Sequence, residues 1–205
     1  DYRVKYNDLK LSAVQDIGYA SGAALLMRAD LLKRFGLLDD DFFLYHEDLE
    51  YSFRLKIVGY RAVLVKDSVF YHKYQFSRSI SKFYWMERNR YGTMLMFFRW
   101  PTLLLLLPMG LALEVGLWLF ALKGGWVKER IKVYKYWLKL GSWKLWLGKR
   151  KHIQSIRKVS DKELFKNSVS GIDFQEKSME NPVLKYVGNP MMRVYYCFFR
   201  LLVRW

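Results

Sequence analysis

The chain has 205 residues, of which 52% are hydrophobic and 18% aromatic, so it is long and apolar enough to fold around a core and is not a disordered chain. Its formal charge of +16 is unevenly spread, because residues 1–90 carry 15 basic and 12 acidic side chains whereas residues 91–205 carry 20 and 7. The first part has the balance of an ordinary soluble fold, and the second part has that of a segment facing an anionic surface.

The single cysteine, Cys197, excludes an internal disulfide and indicates a reducing compartment. The chain begins at Asp1 rather than at Met, and we interpret it as a fragment or a processed piece of a longer protein. We find no internal repeat and no low-complexity tract in it.

Alternating strand and helix patterns predict an α/β fold for residues 1–90. Residues 17–27 are small and apolar, which suits a buried strand with a close backbone approach around Ser21-Gly22-Ala23. A short helix follows, capped by Asp30 and ended by Gly36.

A second helix is predicted after Asp48, with Gly59 as its C-cap. It places Leu49, Phe53 and Ile57 on one apolar stripe and turns Arg54 and Lys56 away from it. Residues 61–65 and 68–72 are predicted to be short strands, and residues 79–98 a helix.

Residues 102–122 form an apolar block with a single charge, Glu114. As a helix the block would be about 31 Å long, enough for a bilayer core. Basic residues lie on both sides of it, so a single span would place one basic flank on the disfavoured side of the membrane. The sequence therefore favours a re-entrant hairpin broken at Pro108, with a single span and a buried soluble helix as the alternatives.

The remaining residues, 125–205, read as a basic amphipathic tail. Lys128, Lys132, Lys135 and Lys139 recur on one helical face beside an apolar stripe and several tryptophans, a pattern typical of helices at an anionic membrane surface. A helix packed on its own domain is the alternative. Nucleic acid is disfavoured as a partner, because the basic residues alternate with apolar faces and no recognition motif is present.

Two adjacent carboxylates, Glu47 and Asp48, stand at the start of the second helix. Helix capping accounts for one of them, since an acidic residue is stabilised there by the helix dipole. Like charge and partial burial beside a second carboxylate favour a proton acceptor instead, which suits a general base acting on a hydroxyl. His72, at the end of a predicted strand, and His46, beside the acidic pair, are the other candidates for chemistry.

The stretch from Gly18 to Lys73 resembles the second half of the catalytic domain of family 2 glycosyltransferases, in the rhamnosyltransferase-like branch acting on cell-surface polysaccharides. A small-residue strand, an aromatic-rich turn, a Glu-Asp pair, a helix with an arginine, a glycine, a strand and a histidine occur in that order. RNR at 88–90, the apolar block and residues 153–161 resemble the tail of the same branch. The resemblance implies the C-terminal half of a Rossmann-like GT-A domain over residues 1–90, a membrane segment over 91–124 and a membrane-associated tail over 125–205.

The resemblance also implies a reaction and its residues. An inverting enzyme would move a sugar from a nucleotide-sugar donor to a hydroxyl of a cell-envelope glycan or lipid-linked acceptor, at the cytoplasmic face of the membrane. Asp48 matches the catalytic base and Glu47 its acidic partner. His72 matches a position that helps to bind a divalent cation, Mg²⁺ or Mn²⁺. The three residues Ser21, Gly22 and Ala23 lie where the acceptor passes, and Arg54 matches a structural or phosphate-side charge.

The family's first half, with its nucleotide-binding strands and Asp-x-Asp metal motif, is not in this sequence. The acidic run Asp39-Asp40-Asp41 is not that motif, because it lies in the turn before the Glu-Asp pair. We therefore expect the chain by itself to be inactive or barely active. The alternatives are a non-catalytic, membrane-anchoring half that works with a partner chain carrying the nucleotide site, and a basic peripheral membrane or nucleic-acid binder.

Overall fold

The computed structural model describes residues 12–71, 80–172 and 182–205. It is 64% helix and 3% strand, with one two-stranded sheet, so the prediction of an α/β, Rossmann-like GT-A half-domain is wrong. The sheet pairs β1 (Val14–Asp16) with β2 (Val63–Val65) in antiparallel register, Val14 opposite Val65. Both strands stay partly exposed, and no further strand covers them in the described residues.

The predicted strand over residues 17–27 does not form. Gly22–Ala24 make a single 3-10 turn instead, and the residues from Ser21 to Ala24 are exposed. Small side chains bury little apolar surface, so a strand here would need neighbouring strands on both sides to stabilise it. Residues 68–71 also form no strand, and residue 72 lies outside the described residues.

Two helices follow this turn and carry the acidic motif. Helix α1 covers Ala29–Phe35 and ends, as predicted, at Gly36, whose φ of 84° is in the left-handed region that favours glycine. Helix α2 covers Glu47–Ile57, which confirms the helix predicted after Asp48. Its residues Phe53 and Ile57 are buried, as their spacing predicted.

The second half of the chain is a set of packed helices. Their bounds are α3 Lys82–Phe97, α4 Trp100–Gly124, α5 Val127–Trp137, α6 Leu140–Ser155, α7 Asp161–Leu164 and α8 Asn189–Leu202, with a π-helical turn at Leu184–Gly188 before α8. Helices α5 and α6 both pack on α3, so the tail rests on the rest of the chain. This packing agrees with the alternative named from the sequence, in which the basic amphipathic helix packs on its own domain.

One hydrophobic core joins the two halves of the chain. It contains Phe42, Phe53 and Ile57 together with residues 95–98, Trp146, Ile153 and Leu164. At its centre Gly92 of α3 lies against Trp146, and a Cβ on Gly92 would sit 2.4 Å from an indole carbon. Only glycine allows this close approach of α3 and α6.

Helix α4 is continuous through Pro108, so the hairpin broken at that residue does not form. Leu103 and Leu106 before the proline pack against the core, and Ala121 after it is fully buried. Packing on both sides of Pro108 therefore outweighs the one hydrogen bond that the proline removes. By length and apolar composition, this 25-residue helix could cross a membrane.

Candidate active site at the start of the acidic helix

The turn that presents the acidic pair has an unusual backbone. Phe43, Tyr45 and His46 have φ angles of 56°, 63° and 69°, all in the left-handed region. Each non-glycine residue held there costs about 1–2 kcal/mol. The turn therefore requires stabilising contacts from elsewhere in the chain.

Those contacts come from α3. Asn89, which is fully buried, donates from Nδ2 to the carbonyl oxygens of Phe42, Leu44 and Tyr45 at 2.8, 3.0 and 2.7 Å. Arg88 donates from Nε to Asn89 Oδ1 at 2.8 Å, which fixes the orientation of the amide, and its guanidinium also bonds the Asp41 carbonyl. The first two residues of the RNR triplet thus hold the turn from which α2 begins.

Asp48 lies against the small-residue turn. Its Oδ2 accepts a hydrogen bond from the backbone N–H of Gly22 at 2.8 Å, and its Oδ1 accepts one from the N–H of Leu49 at 2.7 Å. Both oxygens of Asp48 are therefore held by backbone N–H groups, which fixes the orientation of the carboxylate. The structure therefore brings two segments named from the sequence, Ser21-Gly22-Ala23 and the acidic helix start, to one solvent-facing place.

Glu47 and His46, next to Asp48, each have a buried atom with no hydrogen-bond partner among the described residues: Oε2 of Glu47 and Nδ1 of His46. Burial raises the pKa of Glu47, and the neighbouring Asp48 charge adds to the increase. Burial lowers the pKa of His46 to about 4; the Asp48 charge opposes this decrease and the Arg90 charge adds to it. The imidazole is therefore neutral at pH 7, and the site combines a carboxylate, a carboxyl with a raised pKa and a neutral ring.

Arg54, which was predicted to turn away from the apolar stripe of α2, is buried. It pairs with Glu50 one turn earlier, with Nε 2.9 Å from Oε1, and donates from Nη1 to the carbonyls of Phe35 and Leu37 at 2.9 Å each. These bonds tie the end of α1 to α2. Arg54 therefore stabilises the packing of α1 against α2.

The metal prediction meets no matching geometry in the described part of the chain. No group of three or more His, Cys, Asp or Glu side chains comes together in residues 12–71, 80–172 and 182–205, and His72 lies outside these ranges. Asp39 and Asp41 are paired with Lys149 of α6, with Nζ 2.6 and 2.7 Å from their carboxylate oxygens. The described residues do not fit a divalent cation, and we derive no step through one.

Two functional contributions were not predicted from the sequence. Asn89 was noted only as part of a triplet, and Glu114 only as the one charge in an apolar block. Glu114 accepts hydrogen bonds from Arg90 at 2.8 Å and Tyr134 at 2.7 Å, and also pairs with Arg130. An asparagine between two arginines and a lone charge in an apolar helix both indicate that a polar partner lies nearby, because a polar or charged group is not stable when it is buried without one.

Three comparisons with known proteins returned no relative: no protein-family model, no curated protein and no solved structure matches this chain.

Proposed function

We propose that the chain is the part of a membrane-associated, inverting glycosyltransferase of the family 2 type that carries the acceptor side of the site, with Asp48 as the base. The observation that carries the proposal is the 2.8 Å hydrogen bond from Gly22 N–H to Asp48 Oδ2. It joins the two segments that the family resemblance assigns to the acceptor and to the base. The proposal concerns the reaction and requires no Rossmann-like sheet in this chain.

The chemistry needs one proton transfer from this chain. Asp48 takes the proton of the acceptor hydroxyl while that oxygen forms a bond to the anomeric carbon and the bond from this carbon to the diphosphate oxygen breaks on the opposite face. Such a base typically contributes about 10²–10⁴-fold to the rate. Gly22 and Ala23 are exposed beside the carboxylate, so a hydroxyl can reach it.

Glu47 supports Asp48 rather than replacing it in this proposal. Burial raises the pKa of Glu47, and it lies directly beside the base as the second acid of the pair. The nucleotide sugar and a divalent cation, Mg²⁺ or Mn²⁺, would bind mainly to residues other than those described. The isolated chain is therefore expected to transfer little or no sugar.

The test uses the gene's whole reading frame expressed in membranes, with labelled nucleotide sugars and Mg²⁺ or Mn²⁺. Asp48→Asn should lower turnover about 100-fold or more and leave nucleotide-sugar binding nearly unchanged. Asp30→Asn is the matched control, because Asp30 is an exposed carboxylate of α1 that pairs with Arg28, the residue just before this helix. Near-normal turnover of Asp48→Asn would remove Asp48 from the role of base.

A second candidate is a non-catalytic chain that anchors a separate nucleotide-binding subunit at the membrane. The length and apolar composition of α4 favour it, together with the +16 charge of the chain. Nucleic acid is not proposed as a partner. Transfer activity in membranes that contain only this gene's product would exclude the anchoring role.

A further inference from the structure

We infer that α4 does not cross the bilayer but lies with α8 against one anionic leaflet, and that these two helices form a single membrane-docking face. The inference deepens the membrane association in the proposed function and rests on it, but it does not depend on glycosyl transfer. Four observations carry it: the one-sided exposure of α4, the polar contacts of Glu114, the arginine border of α8 and the hydrogen bonds that join the two helices.

Helix α4 is apolar all round but exposed on one side only. The residues on the other side are mostly half-buried, against α5, α8 and the residues of α3 that contact Glu114. The exposed side carries Leu104, Leu107, Leu111, Val115, Leu119 and Leu122, each more than half exposed. We call this row the α4 stripe. A helix that spans a bilayer alone would have lipid on every side, whereas a helix lying in the interface needs only one apolar side.

The covered side of α4 carries Glu114, near the middle of the helix. Its carboxylate is bonded to Arg90 of α3 and to Arg130 of α5, and Arg130 is also 3.2 Å from Glu87 of α3. Two acids and two arginines thus neutralise one another where three helices meet. A charge is costly in hydrocarbon, so this network belongs within the protein layer.

A crossing α4 would move this network to the bilayer centre. Arg90 is the residue next to Asn89, which holds the turn before the acidic helix. Helix α3 would then enter the hydrocarbon together with α4 and carry the polar turn and the acidic site with it. With α4 in the interface, the same packing leaves the acidic site in water.

Helix α8 has the complementary pattern. Its residues Met191, Val194, Phe198 and Leu201 are exposed and recur at helical spacing, which we call the α8 stripe, while Met192 and Phe199 on the other side are buried. Arg193 and Arg200 are exposed along one border of this stripe, and Arg204 is exposed just after the helix; none of the three forms an ion pair within the described residues. A helix with an apolar stripe bordered by arginines can insert its apolar side chains among the lipid acyl chains while the arginines contact the phosphates of the lipid headgroups.

The two stripes are held together at the end of the chain and the start of α4. Tyr195 of α8 donates to the Leu105 carbonyl, and Trp205 donates from Nε1 to Thr102 Oγ1 at 2.8 Å. Asp161, fully buried, accepts from the Thr102 hydroxyl at 2.5 Å, and its N–H bonds the Trp205 carbonyl at 2.7 Å. These bonds fix α8 beside α4, so the two stripes keep a fixed position relative to each other.

A lipid surface suits this face better than a second copy of the chain does. Helix α8 contains no acidic residue, so a symmetric dimer through it would place the arginines of both copies against each other. Anionic headgroups complement the same arginines. The occupant we infer is therefore a bilayer containing an anionic phospholipid.

The first experiment measures depth. In a Cys197→Ser background, single cysteines replace Leu104, Val115 and Leu122 in turn, are labelled with an environment-sensitive fluorophore, and are quenched by spin labels at known depths in vesicles of 30% phosphatidylglycerol. The in-plane arrangement predicts similar shallow depths for all three positions. A probe at the bilayer midplane, or ends that report opposite leaflets, would overturn the inference.

The second experiment measures affinity for vesicles by flotation. Val194→Glu/Leu201→Glu should weaken binding at least tenfold, and Arg193→Gln/Arg200→Gln should weaken binding to anionic vesicles about fivefold for each arginine without affecting neutral ones. Lys33→Gln/Arg34→Gln, which removes two exposed cations of α1, is the matched control and should bind as the unmodified chain does. Helical circular dichroism verifies that each variant is folded.

Two other outcomes would contradict the inference. One is an affinity for vesicles that is the same for anionic and neutral lipids and is unchanged by Arg193→Gln/Arg200→Gln. The other is a stable dimer that excludes vesicles and separates on Val194→Glu. Asp48→Asn distinguishes this inference from the proposed reaction, because that variant should lose transfer and still float with vesicles. If a variant loses sugar transfer but keeps the same docking geometry, the result bears on the proposed reaction alone. If α4 spans the bilayer in an enzyme that is active, the result refutes the docking face and leaves the reaction unaffected.

Discussion

Replacing Asn89 by alanine should destabilise both the fold and the turn that presents the acidic pair. The amide Nδ2 has two hydrogens and shares them among three carbonyl oxygens, those of Phe42, Leu44 and Tyr45, at 2.7–3.0 Å. Alanine removes both donors and leaves three buried or half-buried carbonyls without this partner. It also removes the acceptor that orients Arg88.

The size of the effect follows from these counts. Two lost hydrogen bonds cost about 1–1.5 kcal/mol each, and the cavity at a fully buried position adds about 1 kcal/mol. We expect the free energy of unfolding to fall by about 3 kcal/mol, a large fraction of a typical total of about 5–15 kcal/mol. Asn89→Asp should cost more, because a buried carboxylate would then face three carbonyl oxygens.

The assay combines urea unfolding in mild detergent with amide hydrogen exchange. Amides 43–50 should exchange faster relative to global unfolding in Asn89→Ala, since the left-handed turn loses its support. Gln154→Ala is the matched control: its amide donates to the Met96 carbonyl at 2.8 Å and the Phe97 carbonyl at 3.2 Å, far along the chain from the turn. A loss below about 1 kcal/mol with unchanged exchange at 43–50 would refute the reasoning.

Three further predictions concern pH, the Glu114 network and the core. The pKa of His46 is about 4 in the folded chain, below its ordinary 6.5, so the unfolded chain binds the proton more tightly. Protonation therefore favours the unfolded state, and the free energy of unfolding falls as the pH decreases from 6.5 towards 4. His46→Asn, which tolerates the left-handed backbone, should remove this loss of at most about 3 kcal/mol in a pH series of urea unfolding, and an unchanged pH series would contradict the assignment. Glu114→Gln should cost about 2–4 kcal/mol of unfolding free energy because two arginines lose their anion, whereas Glu163→Gln, at an exposed pair, should cost less than about 0.5; equal losses would argue against the network. Gly92→Ala should lower the free energy of unfolding by about 1–3 kcal/mol, and the melting temperature with it, through its clash with the buried indole. Gly110→Ala, which has open space, should leave both unchanged or raise them, and the reverse order would contradict the packing.

Local patterns predicted much of the helical structure. The periodic spacing in α2 and the glycine after α1 are local signals, and both elements formed where their signals lay. The apolar block formed one continuous helix, α4, and not the hairpin broken at Pro108 that the sequence favoured. The strand over 17–27 was predicted from small apolar residues, which suit a strand only when neighbouring strands bury them. In this structure helices α3, α5 and α6 pack together and bury the apolar side chains without a sheet. The local pattern therefore indicated the wrong fold class.

The candidate site was predicted only in part, for the same reason. The residues Glu47 and Asp48 stand out because adjacent acids at a helix start are a local feature. The partners that position them are remote: Gly22 is 26 residues before Asp48, and Asn89 is more than 40 residues after the turn it holds. Contacts of that separation leave no periodic trace in one sequence. The catalytic roles of these residues remain predictions.

The left-handed turn also has a consequence for the order in which the chain folds. Residues 43–46 cannot hold their backbone by themselves, since their support comes from Asn89, 44 residues beyond Tyr45. During synthesis this turn therefore stays unformed until α3 has emerged and docked. Closing so long a loop comes late, after local helices have formed. We expect substitutions in the turn to accelerate unfolding and leave the folding rate almost unchanged. Assembly of the acidic site would then be a late event in folding, because Asp48 reaches its position beside Gly22 only after the surrounding helices are in place.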